Sequence, residues 1–272
     1  MFRSRRLLLW VAALASSAAF AADVPEESEG SGPRYVIGAG LHWQPESAGA
    51  RRNEITLKPL WAVQWGRWRL STGGGAGLLG FGAEVLGAGA SADLIRNQTV
   101  RLGVSLRIDG GRKSDEASTT AGLPDVRRTA RGRIYASYAL APDWQVAASL
   151  SQDLLGRQGG WVGGLDLGWR LQQTAYSEWT AGVGVSAANA VNMRSYFGIT
   201  PAGAMASGLP VFSPSTGLRD VHAGIGYRRS LTPHWIWFGS AGVSRLVGPA
   251  ADSPLTQMPT GFQVGFGLAY RN

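Results

Sequence analysis

Trp144-Gln-Val-Ala-Ala-Ser-Leu150 follows the short turn Pro142-Asp143 and alternates apolar residues with small or polar ones. The same arrangement recurs along the chain. Trp68 follows Gly66-Arg67 and opens W-R-L-S-T. Trp179 follows Tyr176-Ser177-Glu178 and opens W-T-A-G-V-G-V. Trp235 follows Pro233-His234 and opens W-I-W-F-G-S-A-G-V. Period two puts the apolar residues of each strand on one face. An aromatic at the same end of each strand points to a girdle at a membrane–water interface. In lipid only helices and closed barrels satisfy every backbone polar group. The expectation is an all-β fold, a transmembrane up-and-down antiparallel β-barrel.

Composition bounds the setting. Arg3, Arg5 and Arg6, the apolar run Leu7 to Ala15 and the small-x-small site Ala19-Phe20-Ala21 read as a signal peptide over 1–21. Residues 22–34 are acidic and rich in Gly, Ser and Pro, and read as a flexible periplasmic leader. The barrel is expected over 35–272. No later run is long and apolar enough for a membrane helix. Mean hydropathy is only −0.04, as expected when alternate residues face a polar lumen. Without cysteine there is no disulfide framework and no thiolate metal site. The formal charge of +8 falls by three with the signal arginines. The remaining excess suits outer-membrane lipid and lipopolysaccharide but is spread out rather than clustered. No nucleic-acid partner and no cofactor are expected. The 39 glycines let strands coil and leave room inside a barrel.

From Tyr35 onward strands follow one another with no convincing helix. Val100, Leu102, Val104, Leu106 and Ile108 alternate most cleanly; the fourth strand, within Leu79 to Ala90, is least distinct. Pro59 suggests a bulge in the second. The count is about 12, within 10 to 12, and bacterial barrels have even numbers. With the first strand starting in the periplasm, turns near 66–67, 92–98, 142–143, 173–177 and 232–234 are short and periplasmic. The outer connections include three long ones, the expected asymmetry.

Chemical motifs are few. Gly75-x-Gly77-x-x-Gly80 matches a dinucleotide fingerprint but opens no helix, so a glycine-rich barrel strand is the better reading. His42 and His222 point into the lumen and His234 lies in a turn; the sequence does not bring them together as metal ligands. Ser253 sits in a loop with no fixed base beside it. No catalytic group is assigned. Arg101, Arg107, Arg133, Asp166, Arg170, Asp220 and Arg228 fall opposite the apolar faces and should line the lumen. They either pair into a network that fills it or line a channel for anions. About 12 strands give an interior between the filled 8-strand and open 16-strand cases, which favours a filled or narrowly open lumen.

The last third carries specific motifs. Asn192 to Thr200-Pro201 includes Tyr196-Phe197-Gly198. Leu209-Pro210, Gly217 and Asp220 follow, then Arg245-Leu246 and Asp252-Ser253-Pro254. The closing strand has Gln263-x-Gly265-x-x-Leu268-x-Tyr270, the form of an outer-membrane assembly signal (β-signal). In this order they resemble the MltA-interacting protein (MipA/OmpV) family. The resemblance implies a cell outer membrane barrel. The family's namesake is a scaffold joining a lytic transglycosylase to a murein synthase, and other members are surface antigens or related to antibiotic response. The chain departs in ending Tyr270-Arg271-Asn272 rather than aromatic-basic-Phe, and in lacking a Tyr-rich first loop. The long loop holding Tyr196, Phe197 and Pro201 either packs into the barrel mouth as a plug or presents a ligand patch. The function expected is a non-enzymatic scaffold for murein-remodelling enzymes, reached through the leader and periplasmic turns. A narrow pore or permeability factor and a surface adhesin are the alternatives.

Overall fold

The computed structural model describes residues 33–72, 89–115 and 120–272. The signal segment, most of the leader and the Gly75-x-Gly77-x-x-Gly80 pattern lie outside the described residues. The strands are β1 (Arg34–Pro45), β2 (Asn53–Trp65), β3 (Trp68–Ser71), β4 (Gly89–Arg96), β5 (Val100–Asp109), β6 (Thr129–Ala141), β7 (Trp144–Asp153), β8 (Trp161–Gln173), β9 (Ser177–Ala188), β10 (Gly217–Ser230), β11 (Trp235–Leu246) and β12 (Thr260–Arg271). Each pairs antiparallel with its neighbours in sequence, and β12 returns to pair with β1 from Val36↔Arg271 to Trp43↔Val264. That pairing of the first strand with the last closes the barrel.

The start of β1 at Arg34, the end of β12 at Arg271 and the short turns lie at one end. Bacterial barrels put short turns in the periplasm and long loops outside, and the two ends are called periplasmic and outer on that rule. The terminal residue fastens the seam. Tyr35 N donates to Asn272 Oδ1 at 2.8 Å, and Asn272 Nδ2 donates to Pro33 O at 3.0 Å.

Alternation inverts the usual soluble order. Ile55 on the outward face is 74% exposed, whereas Arg69 and Arg131 inside are 3% exposed. Trp68, Trp144 and Trp235 are the first residues of β3, β7 and β11 and Trp179 is the third of β9, so all four lie at the periplasmic end. Their neighbours extend the belt. Trp144 stacks on Trp169 with centroids 5.0 Å apart, Trp179 meets Tyr227 at 4.4 Å, and Trp235 meets Tyr270 edge-on at 5.5 Å.

Four sequence expectations change. First, the strand expected within Leu79 to Ala90 falls mostly outside the described residues; β4 is Gly89–Arg96, and the turn is confined to residues 97–99. A register shift between Asp93 and Ile95 turns both Leu94 and Ile95 outward, which breaks the alternation that would have revealed the strand. Second, Pro59 makes no bulge against β1, since it pairs in line with Ala39. Trp61 exchanges its backbone bonds with Thr72 on the far side. Pro59, two residues earlier, faces the same way, so the β1 ladder needs no N–H from it. Third, β6 starts at Thr129, five residues before the alternation at Ile134. Fourth, helices exist in the outer loops: α1 (Ala190–Phe197), α2 (Pro201–Ser207) and α3 (Gly248–Ala251). Asn189 caps α1 by accepting from Asn192 N, and Thr200 caps α2 with Pro201 at its first turn. Among the described residues no helix is long and apolar enough to cross a membrane.

Inside, bulky side chains lie over glycines. The His222–Asp166 contact passes over Gly184, Tyr135 over Gly103, Phe238 over Gly267, and His42 over Gly265. A Cβ at Gly265 would come within 2.7 Å of His42 Nδ1.

Candidate functional site

The lumen carries a graded set of polar clusters. At the periplasmic end Glu178 bridges two strands, accepting from Arg170 Nε at 3.2 Å and Arg228 Nε at 2.6 Å. Beside them Val36, Leu60, Ala62, Ile236 and Ala269 form an apolar cluster with Phe238 packed on it. Farther in, Asp93 holds Arg69 and accepts from Tyr135 Oη at 2.8 Å, with Arg101 at 4.0 Å. On the opposite wall His222 lies between two carboxylates, Asp166 at 2.9 Å and Asp220 at 3.0 Å. Asp220 also takes Arg219 Nε at 2.8 Å and the Ser186 hydroxyl. A register shift between Leu218 and Asp220 turns Leu218 outward and brings Arg219 in beside Asp220.

Just below the outer mouth the guanidinium of Arg131 donates to Gly159 O at 2.9 Å, Gly160 O at 3.0 Å and Asp109 at 3.5 Å. Arg107 stands opposite Arg131 in the β5–β6 register, and Arg133 opposite Ser105. All seven lumen charges named from the sequence therefore sit on inward-facing ladder positions. Arg69 and Glu178 were not named from the sequence, although each adjoins an outward Trp and the same parity applies to them. Asp93, Arg131 and Arg219 were hidden by the two register shifts and by the early start of β6.

Above this ring the outer loops are bound into one cap. From α1, Asn192 Nδ2 donates to Gly159 O at 2.8 Å and Ser195 Oγ to Gln158 O at 2.7 Å. Tyr196 Oη donates to Asp109 at 3.1 Å, while Tyr196 O accepts from Arg112 at 3.1 Å. Burial pushes the Tyr196 phenol well above its usual range, and the Asp109 charge adds to that. Ser253 Oγ donates to Phe197 O at 2.6 Å. Gly49 O takes the backbone N–H groups of Gln257 and Met258, which ties the first outer loop to the last. Two apolar clusters fill the cap. Met193 and Phe197 pack with Ala188, Leu246 and Ala250; Ile199 packs with Leu123 and Leu255, with Leu209 and Phe212 alongside. Gly160 has φ +55 and lies against the Asn189 side chain, so no larger residue fits there.

Most motif residues of the last third fall in this cap or on its rim. Gly198 ends α1, Thr200 and Pro201 start α2, and Pro210 follows Leu209. Gly217 faces Pro249, Asp252 ends α3, and Pro254 lies between buried Ser253 and Leu255. Arg245 is exposed at the outer end of β11. The Ser253 hydroxyl is committed to Phe197 O and Leu255 N. Among the described residues no group of His, Asp and Glu has the makings of a metal site. His42 and His222 lie on β1 and β10, while His234 Nδ1 donates to Arg271 O at 3.0 Å in a periplasmic turn. On β12, Gln263 and Gly265 face inward, and Leu268 and Tyr270 outward.

The family model described as MltA-interacting protein MipA matches residues 37–272. The chain belongs to this family. No curated protein matches the sequence. Among solved structures, the anion-selective porin from Comamonas acidovorans has 7% identity over 89% of this chain and 99% of its own, with TM-score 0.42. The outer-membrane-expressed OmpT of Vibrio cholerae has 7% identity, 90% and 99% coverage and TM-score 0.40. The KdgM porin has 9% identity, 86% and 98% coverage and TM-score 0.40. The protein is a closed antiparallel β-barrel of the MipA family.

Proposed function

We infer that this protein is a non-enzymatic scaffold that holds murein-remodelling enzymes at the outer membrane. The family's name records an interaction with MltA, a lytic transglycosylase; a murein synthase would be the second client. The observation that carries the reading is the occupied interior. An apolar cluster at the periplasmic end, paired charges along the wall and a bonded cap at the mouth favour a body over a conduit. The contact surface would then be the periplasmic turns together with the acidic leader, residues 23–32. Short turns offer little against the roughly 800 Å² per partner of a standard interface, so the leader ordering on contact supplies the remainder. A signal peptide over residues 1–21 delivers the chain. Exposed Arg245 at the outer rim suits lipopolysaccharide phosphates.

The test is recovery of a lytic transglycosylase and a murein synthase on the purified barrel, with and without residues 23–32, beside planar-bilayer conductance. Enzymes recovered only with the leader, and no conductance, support the scaffold. Steady anion-selective conductance with no enzyme recovered overturns it in favour of a narrow pore, the reading that the arginine-rich lumen supports.

A further inference from the structure

We propose that the lumen binds a small tetrahedral oxyanion at Arg107, beneath the outer cap. Arg107 projects inward from β5, and its Nε is buried without a hydrogen-bond partner. A buried donor left unbonded is costly, more so when it is charged. Its charged neighbours are Arg133, Asp109, Arg131 and Arg219. Arg131 is its direct partner across the β5–β6 ladder, and like charges directly opposite one another destabilise a sheet. The three carboxylates nearby are already engaged. Asp109 takes Tyr196 and Arg131; Asp153, opposite Arg131 on β7, takes Thr129, Leu155 N and Gly159 N; and Asp220 takes Arg219, His222 and Ser186. Four guanidinium groups thus face three carboxylates, and Arg107 carries an orphaned donor. On its other side Arg107 pairs with Gly89, which offers it no side-chain partner.

The chemistry fits an inorganic phosphate or sulfate. Guanidinium binds tetrahedral oxyanions in a planar fork, with charge-assisted bonds stronger than neutral ones. The anion would accept from Arg107, offset the Arg107–Arg131 repulsion and lie under the Tyr196 phenol. The cap covers the mouth, so a polymer end or lipid headgroup is a poorer occupant than a free ion. This site does not depend on the scaffold reading, because partner recovery and ion binding are read separately.

The experiment is refolding of the full mature barrel in detergent with inorganic phosphate, with sulfate, or with chloride at matched ionic strength. Thermal unfolding and 31P line broadening report binding. Wild type should show a saturable rise in unfolding temperature with phosphate and sulfate and none with chloride. Arg107→Gln should weaken phosphate binding about tenfold or more, whereas Arg228→Gln at the periplasmic end should not. If Arg107→Gln fails to fold, Arg107→Lys keeps the charge but loses the fork, and should weaken binding several-fold. Equal phosphate response in wild type and the Arg107 variants, or no response beyond chloride, overturns the site.

Discussion

Single residues in this barrel are chosen for what lies across the lumen from them. Gly265 is the clearest case, because the three nearest atoms that a Cβ there would meet belong to the His42 ring. Gly265→Ala should therefore destabilise the barrel by about 1–3 kcal/mol through overpacking, read by urea unfolding in lipid vesicles. In a His42→Ala background the same change should cost far less, since the pair shares one space. An undiminished cost there would assign Gly265 to the β-signal instead of to packing. Tyr196 gives a pH prediction. Its phenol ionises at a higher pH folded than unfolded, where about 10 is usual. The Tyr196–Asp109 bond thus contributes fully below about pH 10 and is lost as pH rises toward the folded value. Cap stability should fall from about pH 10 upward in wild type, and Tyr196→Phe should flatten that fall. Urea midpoints between pH 8 and 11 check it.

At the scale of elements the cap divides from the wall. α1 alone is eight residues, too short to persist in water, so its order comes from its bonds to the neighbouring loops. Asn192→Ala removes the Gly159 contact and should cost about 1 kcal/mol. The local result should be several-fold faster tryptic cleavage at exposed Arg194, with heat-modifiable migration of the barrel unchanged. Deleting residues 192–210 should raise single-channel conductance if the cap closes the mouth. Unchanged conductance with a lost ligand would instead make it a binding patch. How far these elements were legible follows from physics. Strands with one lipid face, such as Val100 to Ile108, declare themselves by strict alternation. β4 did not, because its bulge at Asp93 puts two apolar residues outward in succession. The helices gave little signal: Thr200-Pro201 is an ordinary helix start, but at 8, 7 and 4 residues they are too short to show a sustained helical period. The inward ring charges followed from parity alone. Asp220 and His222, two apart on β10, share a face by parity, but the His222 contact with Asp166, 56 residues away, had no local signal.

The whole molecule is an apolar-outside shell with its aromatic belt at one end. Tryptophans placed singly at positions 68, 144, 179 and 235 of a Trp-free variant should be quenched most by lipids brominated near the headgroup. Maximal quenching from the bilayer centre would overturn the assignment of that end to the interface. Unboiled protein should run differently from boiled protein on a gel and give a β-rich circular dichroism spectrum in detergent. The Asn272 contacts with Tyr35 and Pro33 bring the two ends of the barrel domain within hydrogen-bonding reach. Geometrically, the sequence of this domain is a ring cut at one place, and a short peptide can join the ends while a new opening is made elsewhere. A circular permutant opened at Gly156, in the β7–β8 loop, would retain every strand pairing yet move Gln263 to Tyr270 from the tail to the interior of the chain. Such a permutant should refold in detergent like the parent. Whether it also assembles in cells would separate what that last strand says by its residues from what it says by coming last.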